Sequence, residues 1–143
     1  MITRLNHSGL VVRDLDSAVA FYRDGLGMKV VDIRERDGGS IEHIVGYHPC
    51  HLKAVDMAVG DGSVLELIQY FVPSSTERTS EERSVLGASH IAFDVVGIHK
   101  MYEKLLRKGG RKLNPPIEGS PGKWVCYLQD PDGNWVELIE FTN

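Results

Sequence analysis

Part of this chain is written twice, and a duplication limits a chain to folds that two copies of one small unit can make. Asp61-Gly62-Ser63-Val64-Leu65-Glu66-Leu67-Ile68 recurs 71 positions later as Asp132-Gly133-Asn134-Trp135-Val136-Glu137-Leu138-Ile139, with five of the eight positions identical. The opening of the chain repeats at an offset of 83, placing His7 on His90, Leu10 on Phe93, Val12 on Val95, Leu15 on Ile98 and Gly27 on Gly110. Each copy thus carries a histidine near its start and a glutamate inside an apolar strand near its end. Two imidazoles and two carboxylates in related places are the donor set of a divalent metal site.

Each half reads as a strand, a helix and three further strands. In the first, Leu5 to Val12 is rich in strand formers, and Asp14 is an N-cap for a helix whose apolar stripe is Leu15, Ala18, Val19, Tyr22 and Leu26. Gly27 stops that helix. Strands follow at Lys29 to Arg36, Lys53 to Val59 and Val64 to Tyr70, with a break at Asp37-Gly38-Gly39-Ser40 and a turn at Gly60-Asp61-Gly62. In the second half, strand residues His90 to Val95 precede a helical stripe of Ile98, Met101, Tyr102, Leu105 and Leu106. A short strand near Arg111 to Leu113, a Pro/Gly loop from Asn114 to Gly122, and strands at Trp124 to Gln129 and Trp135 to Phe141 complete it. The expected organisation is one α+β domain over 1–143. A first βαβββ module spans 5–72, a polar linker 73–86, and a second module 87–142.

Alternation along a strand sorts these residues by face. Ile91, Phe93 and Val95 make an apolar face for the helix, leaving His90, Ala92 and Asp94 opposite. Leu10 and Val12 likewise oppose His7, Gly9 and Val11. The histidine faces, with small Gly9 and Ala92, are expected to line a concavity. Glu137 shares its face with Trp135, Ile139 and Phe141, and a carboxylate so placed needs a metal or a polar partner.

Composition narrows the partners. With 42% hydrophobic and 25% charged residues the chain is in the ordinary range for a soluble domain. A net charge of −4 and a pI near 5.8 argue against nucleic acid or an anionic membrane surface. The first residues lack the apolar core of a signal peptide, and no apolar run is long enough to span a bilayer. Cys50 and Cys126 are isolated thiols without C-x-x-C spacing, so the expected setting is the cytoplasm.

The pattern resembles the vicinal oxygen chelate superfamily, which holds glyoxalase I, methylmalonyl-CoA epimerase, extradiol dioxygenases and fosfomycin-resistance proteins. It is carried by His7 in HSGLVVRDLDSAVAFYRDGLGM, Glu66 in VLELIQY, His90 in SHIAFDV and Glu137 in DPDGNWVELIEF. The resemblance implies the glyoxalase/bleomycin resistance/dihydroxybiphenyl dioxygenase fold, a concave mixed sheet built from paired modules around a central metal. It further implies His7, Glu66, His90 and Glu137 as ligands of one divalent ion: nickel, cobalt, zinc, manganese or iron. The His/Glu/His/Glu set and the DPDG turn look more like bacterial glyoxalase I than like the epimerase. Two departures stand out. Glyoxalase I commonly has an arginine four residues after its first ligand, where this chain has Val11, and an asparagine four residues after its second, where it has Tyr70. The expected reaction is therefore a glyoxalase-like lyase or isomerase reaction on a small molecule not linked to glutathione.

Such chemistry removes a proton beside an oxygen held by the metal, whose charge stabilises the resulting enolate. Glu137, set among large apolar neighbours, is the first choice of base and Glu66 the second. Tyr70, Lys123 and Trp124 are candidate substrate contacts, the last two following the Gly119-Ser120-Pro121-Gly122 loop. His43, His48 and His51 form a second cluster with no recognised ligand spacing, read as a surface loop. Fe(II) ring-cleaving oxygenation is one alternative, weakened by the fourth ligand. A metal-free binding or resistance protein is the other, weakened by the intact ligand set. A homodimer is expected from the base rate for small enzymes.

Overall fold

A computed structural model describes residues 1–142. The chain divides into two compact units, Met1–Glu77 and Arg78–Asn143, and each has its own sheet and core.

The first unit runs β1 (Ser8–Val11), α1 (Leu15–Ala20, continued by a π-helical turn over Phe21–Gly25), β2 (Lys29–Asp37), α2 (Ser40–Val45), β3 (His51–Ala58) and β4 (Val64–Val72). Its sheet has the order β1-β4-β3-β2, with β1 parallel to β4 and the other pairs antiparallel. Asp14 caps α1 as expected, its carboxylate accepting the Ser17 N–H at 2.8 Å. A second cap comes from the sheet, because the Gln69 side-chain oxygen on β4 accepts the Leu15 N–H at 2.9 Å. Leu15, Ala18, Phe21 and Tyr22 are buried in the core with Val55, Met57, Leu65 and Leu67. The π-helical turn shifts the stripe by a residue, so Phe21 enters the core while Val19 and Leu26 stay half-buried. The helix α2 was not expected. Gly39 enters it at φ +67° and Gly46 leaves it at φ +78°, so the Gly-rich break launches one short helical turn as well as ending β2.

The second unit runs β5 (His90–Asp94), α3 (Ile98–Arg107), β6 (Arg111–Lys112), β7 (Ile117–Ser120), β8 (Lys123–Gln129) and β9 (Trp135–Phe141). The order is β5-β9-β8-β6, with β7 also paired to β8 and β5 parallel to β9. Ile98, Tyr102 and Leu105 are buried with Cys126, Leu128, Val136 and Leu138. No capping side chain lies next to α3 in sequence; instead Glu140 on β9 accepts the Gly97 and Ile98 N–H groups at 2.5 and 3.0 Å. The Pro/Gly stretch from 114 to 122 is not all loop, since β7 forms within it against the edge of β8. These are mixed α+β units in which β1 or β5 is followed by a helix and then by antiparallel strands, as the repeat required.

The two repeated Asp-Gly turns keep their glycine for the same reason: Gly62 and Gly133 sit at φ +87° and +86°. They differ in depth. Asp61 binds Ser63 at an exposed turn, whereas Asp130 is fully buried and accepts the Asp132 and Asn134 N–H groups at 2.9 and 2.8 Å. The segment read as a linker is held at several points. Arg13 grips Glu77 through two bonds of 2.8 and 3.0 Å within the first unit, and Arg78 bonds Asn134 within the second. Both cysteines are free and buried, and burial pushes the Cys126 thiol up to about 12. Among the described residues no helix is long and apolar enough to cross a membrane.

Candidate functional site

In the first unit, His7 immediately precedes β1 and Glu66 lies in the middle of β4. The register sets Gly9 beside Glu66, and a Cβ at Gly9 would lie 3.7 Å from Glu66 Oε2, so a small residue leaves the carboxylate room to stand up from the sheet. His7 Nε2 comes to 3.5 Å from that oxygen. The other oxygen, Oε1, accepts a 2.7 Å bond from Arg34 Nη2 on β2. Arg34 also makes two bonds to Asp56, at 2.8 and 2.7 Å, and one to Asp32. Asp32, Asp56 and Glu66 stand in one cross-strand row over β2, β3 and β4. Three like charges in such a row repel, and the single guanidinium offsets them. The hydrogen bonds that Arg34 donates to Asp56 and Asp32 hold its guanidinium well above its ordinary value.

The second unit repeats the frame with other neighbours. His90 opens β5, Ala92 sits beside Glu137, and His90 Nε2 lies 3.2 Å from Glu137 Oε2. Among the described residues no arginine pairs with this carboxylate. Tyr127, its cross-strand partner on β8, supplies the other contact, and its ring meets His90 edge-on with centroids 5.4 Å apart. Burial first, then its hydrogen bond to Glu137, push the Tyr127 phenol up to about 12. Arg83 lies over the faces of Tyr127 and Trp135, 5.6 and 4.9 Å from the ring centroids. In both units the carboxylate is mostly covered (17% and 14% exposed) while the imidazole is open (44% and 50%). The imidazole edges are accessible to a ligand.

The remaining candidates are spread more widely. Tyr70 shares the Glu66 face of β4, stacks edge-on with Tyr47 at 5.8 Å, and has its phenol pushed up by burial. Lys123 shares the Glu137 face through its pairing with Phe141, over whose ring its ammonium lies at 5.8 Å. Trp124 takes the opposite face of β8, beside Glu140, with its ring 5.0 Å from His99 of α3. Val11 is half-exposed on β1. In the second histidine cluster, His43 and His48 meet edge-on at 5.3 Å and His48 approaches Glu42 at 3.5 Å, whereas His51 pairs with Glu35 at 2.8 Å.

The structure brings His7 to Glu66 and His90 to Glu137. Among the described residues, no three His, Cys, Asp or Glu side chains form a cluster that could hold an ion, so each unit presents two donors and a four-donor site needs both pairs. The chemistry of the set fits a divalent cation of intermediate softness, with a histidine Nε2 and a carboxylate Oε2 3.5 Å apart in one unit and 3.2 Å apart in the other. Sequence reading missed Arg34, Asp56, Tyr127 and Arg83. Arg34, Asp56 and Tyr127 fall on strands the sequence marks, but only cross-strand register says which of them stands beside which glutamate, and Arg83 lies in a turn ahead of β5.

Comparison with known proteins agrees with this frame. The chain is 30% identical over 143 residues to a probable lactoylglutathione lyase of Synechocystis sp., covering 97% of this chain and 96% of that protein. It is 29% identical over 141 residues to the uncharacterized protein YwbC of Bacillus subtilis, covering 98% and 99%. A crystal structure of a glyoxalase family protein from Bacillus cereus superposes with a TM-score of 0.92 at 21% identity, covering 100% of this chain and 97% of that one. The profile that describes the Glyoxalase/Bleomycin resistance protein/Dioxygenase superfamily matches residues 4–138, a span that covers most of each unit and includes all four candidate ligands. With duplicated units, a His–Glu pair in each and this match along nearly its whole length, the chain belongs to that superfamily.

Proposed function

We propose that this protein is a metal-dependent lyase or isomerase of the glyoxalase type. The observation that carries the reading is the pair of related His–carboxylate contacts, at 3.5 and 3.2 Å, in corresponding places of two units. His7, Glu66, His90 and Glu137 would hold one divalent ion, within one chain or across a homodimer. When bound, the ion would supply Lewis-acid stabilisation for negative charge developing on a substrate oxygen.

The protein's own residues divide the remaining work. Glu137 takes the proton from the carbon beside that oxygen. Its geometry favours it over Glu66, whose Oε1 is already occupied by the permanently charged Arg34. That charge-assisted bond holds Glu66 in a fixed orientation, as a metal ligand needs. Glu137 instead has a neutral phenol beside it, and Tyr127 can follow a change of charge there by turning its hydroxyl. His7 and His90 offer Nε2 as donors, and the small Gly9 and Ala92 leave space above the strands for a substrate. Val11 and Tyr70, standing where glyoxalase I has its arginine and asparagine, favour a substrate other than a glutathione adduct.

Proton abstraction has a direct readout. Protein reconstituted with nickel, cobalt, zinc or manganese is incubated in D2O with a panel of 2-oxoaldehydes, the hemithioacetal of glutathione and acyl-CoA epimers, and deuterium at the reacting carbon is followed by NMR. The reading expects exchange with at least one substrate that stops when the metal is chelated. Oxygen uptake with catechols in the presence of Fe(II), and no exchange, would replace it with ring-cleaving oxygenation. Tight binding of small molecules without exchange or metal would leave a sequestering protein.

A further inference from the structure

One arginine stands near each glutamate, and the two differ in their partners. Arg34 spends its donors on Asp32, Asp56 and Glu66. Arg83 has no carboxylate within ion-pair reach and no hydrogen-bond acceptor among the described residues. It is nonetheless held in place. Its guanidinium lies over Trp135 and Tyr127, which flank Glu137: Tyr127 is the cross-strand partner of Glu137, and Trp135 is two residues along the same face of β9. The backbone that carries it is fastened too, because the Glu81 carbonyl accepts the Trp135 indole N–H at 3.0 Å and the Glu81 carboxylate pairs with Arg111 at 3.1 Å.

We propose that Arg83, on its Tyr127–Trp135 platform, is the subsite for a carboxylate carried by the substrate. The ring faces attract the cation through their negative quadrupole and screen one side of it from water. They cannot use its N–H donors. A planar fork of donors pre-placed by stacking suits a carboxylate, which it can grip through two parallel bonds. The location adds the chemistry. A small acid bound to Arg83 sets the carbon next to its carboxylate over the His90–Glu137 pair, where proton removal is proposed to occur. The substrate class is therefore a small 2-hydroxy acid, whose carbon next to the carboxylate carries the hydrogen to be removed. This assignment rests on the His90–Glu137 face being the substrate face.

The test uses the metal-stripped full chain and lactate as the probe, with lactamide as its neutral isostere. Two tryptophans give two indole N–H signals in 1H–15N NMR spectra, and the Trp135 signal is assigned by its loss in Trp135→Phe. Lactate should shift the Trp135 signal saturably while lactamide leaves it unmoved. Arg83→Gln should weaken lactate binding by at least about tenfold, and Arg83→Lys should recover part of it. Equal binding of lactate to wild type and Arg83→Gln, equal binding of lactamide, or no binding of either would overturn the proposal. Metal content of the same preparations after reconstitution separates the two readings. Metal uptake without lactate binding removes only the Arg83 subsite, and lactate binding to a chain that takes up no metal removes only the metalloenzyme.

Discussion

The two halves of this molecule share a backbone plan and differ in what surrounds their glutamates. Gly9 beside Glu66 matches Ala92 beside Glu137, and each glutamate has a histidine Nε2 within 3.5 Å. Around Glu66 the neighbours are ionic: one arginine and two further carboxylates. Around Glu137 they are aromatic: Tyr127, Trp135 and the stacked Arg83. The repeat gives the two glutamates a like frame, and Arg34 on β2 and Tyr127 on β8 give two chemically identical carboxylates different surroundings. Under the proposed function, the ionic half holds an orientation, and the aromatic half moves a proton and seats a substrate.

The largest expected effect breaks the comparison outright. Glu137→Gln should lower the rate of substrate deuterium exchange by about 10²–10⁴-fold, the usual contribution of a general base. Glu66→Gln should act mainly through weaker metal uptake, with exchange recovered in excess metal. Equal losses in both variants at saturating metal would show that the halves are not specialised. Arg34→Met sharpens the contrast from the structural side. It leaves Asp32, Asp56 and Glu66 facing one another without a cation, and urea unfolding should show a loss of about 1.5–3 kcal/mol. Adding Asp56→Leu to that variant should restore part of the loss, because it removes one of the stranded charges.

A smaller effect concerns the helix caps. Asp14 is local to α1, whereas α3 depends on Glu140 from the last strand. Hydrogen bonds from the Ile98 and Gly97 N–H groups hold the Glu140 carboxyl below its ordinary value of 4.5. Its bond therefore contributes stability above that pH and loses it as pH falls through the lowered value. Glu140→Ala should lower the Tm by a few degrees at pH 7, with the difference from wild type shrinking in acid. A difference that persists unchanged at pH 3 would mean the carboxylate charge is not what caps α3.

Those caps also show what could be read from the sequence. Asp14 and the Leu15, Ala18 and Tyr22 stripe were legible because they are local, and the Asp-Gly turns because they occur twice. The His7–Glu66 and His90–Glu137 pairs were legible because the repeat and strand parity place them alike. Glu140 as a cap, Arg34 as a clamp and Arg83 as a stacked cation were not, since each depends on a partner about 20 to 50 residues away whose register no local pattern encodes. The helix α2 and strand β7 were hidden by glycine and proline, which mark turns without saying how much regular structure lies between them.

The central claim is that the two His–Glu pairs act as one metal site. Metal content by inductively coupled plasma mass spectrometry, on wild type, His7→Ala and His90→Ala after reconstitution and desalting, tests it directly. The account predicts about one divalent ion per four-ligand set in the wild type and its loss in both variants. Full metal retention in either variant, or no uptake by a wild type shown to be folded, would contradict it.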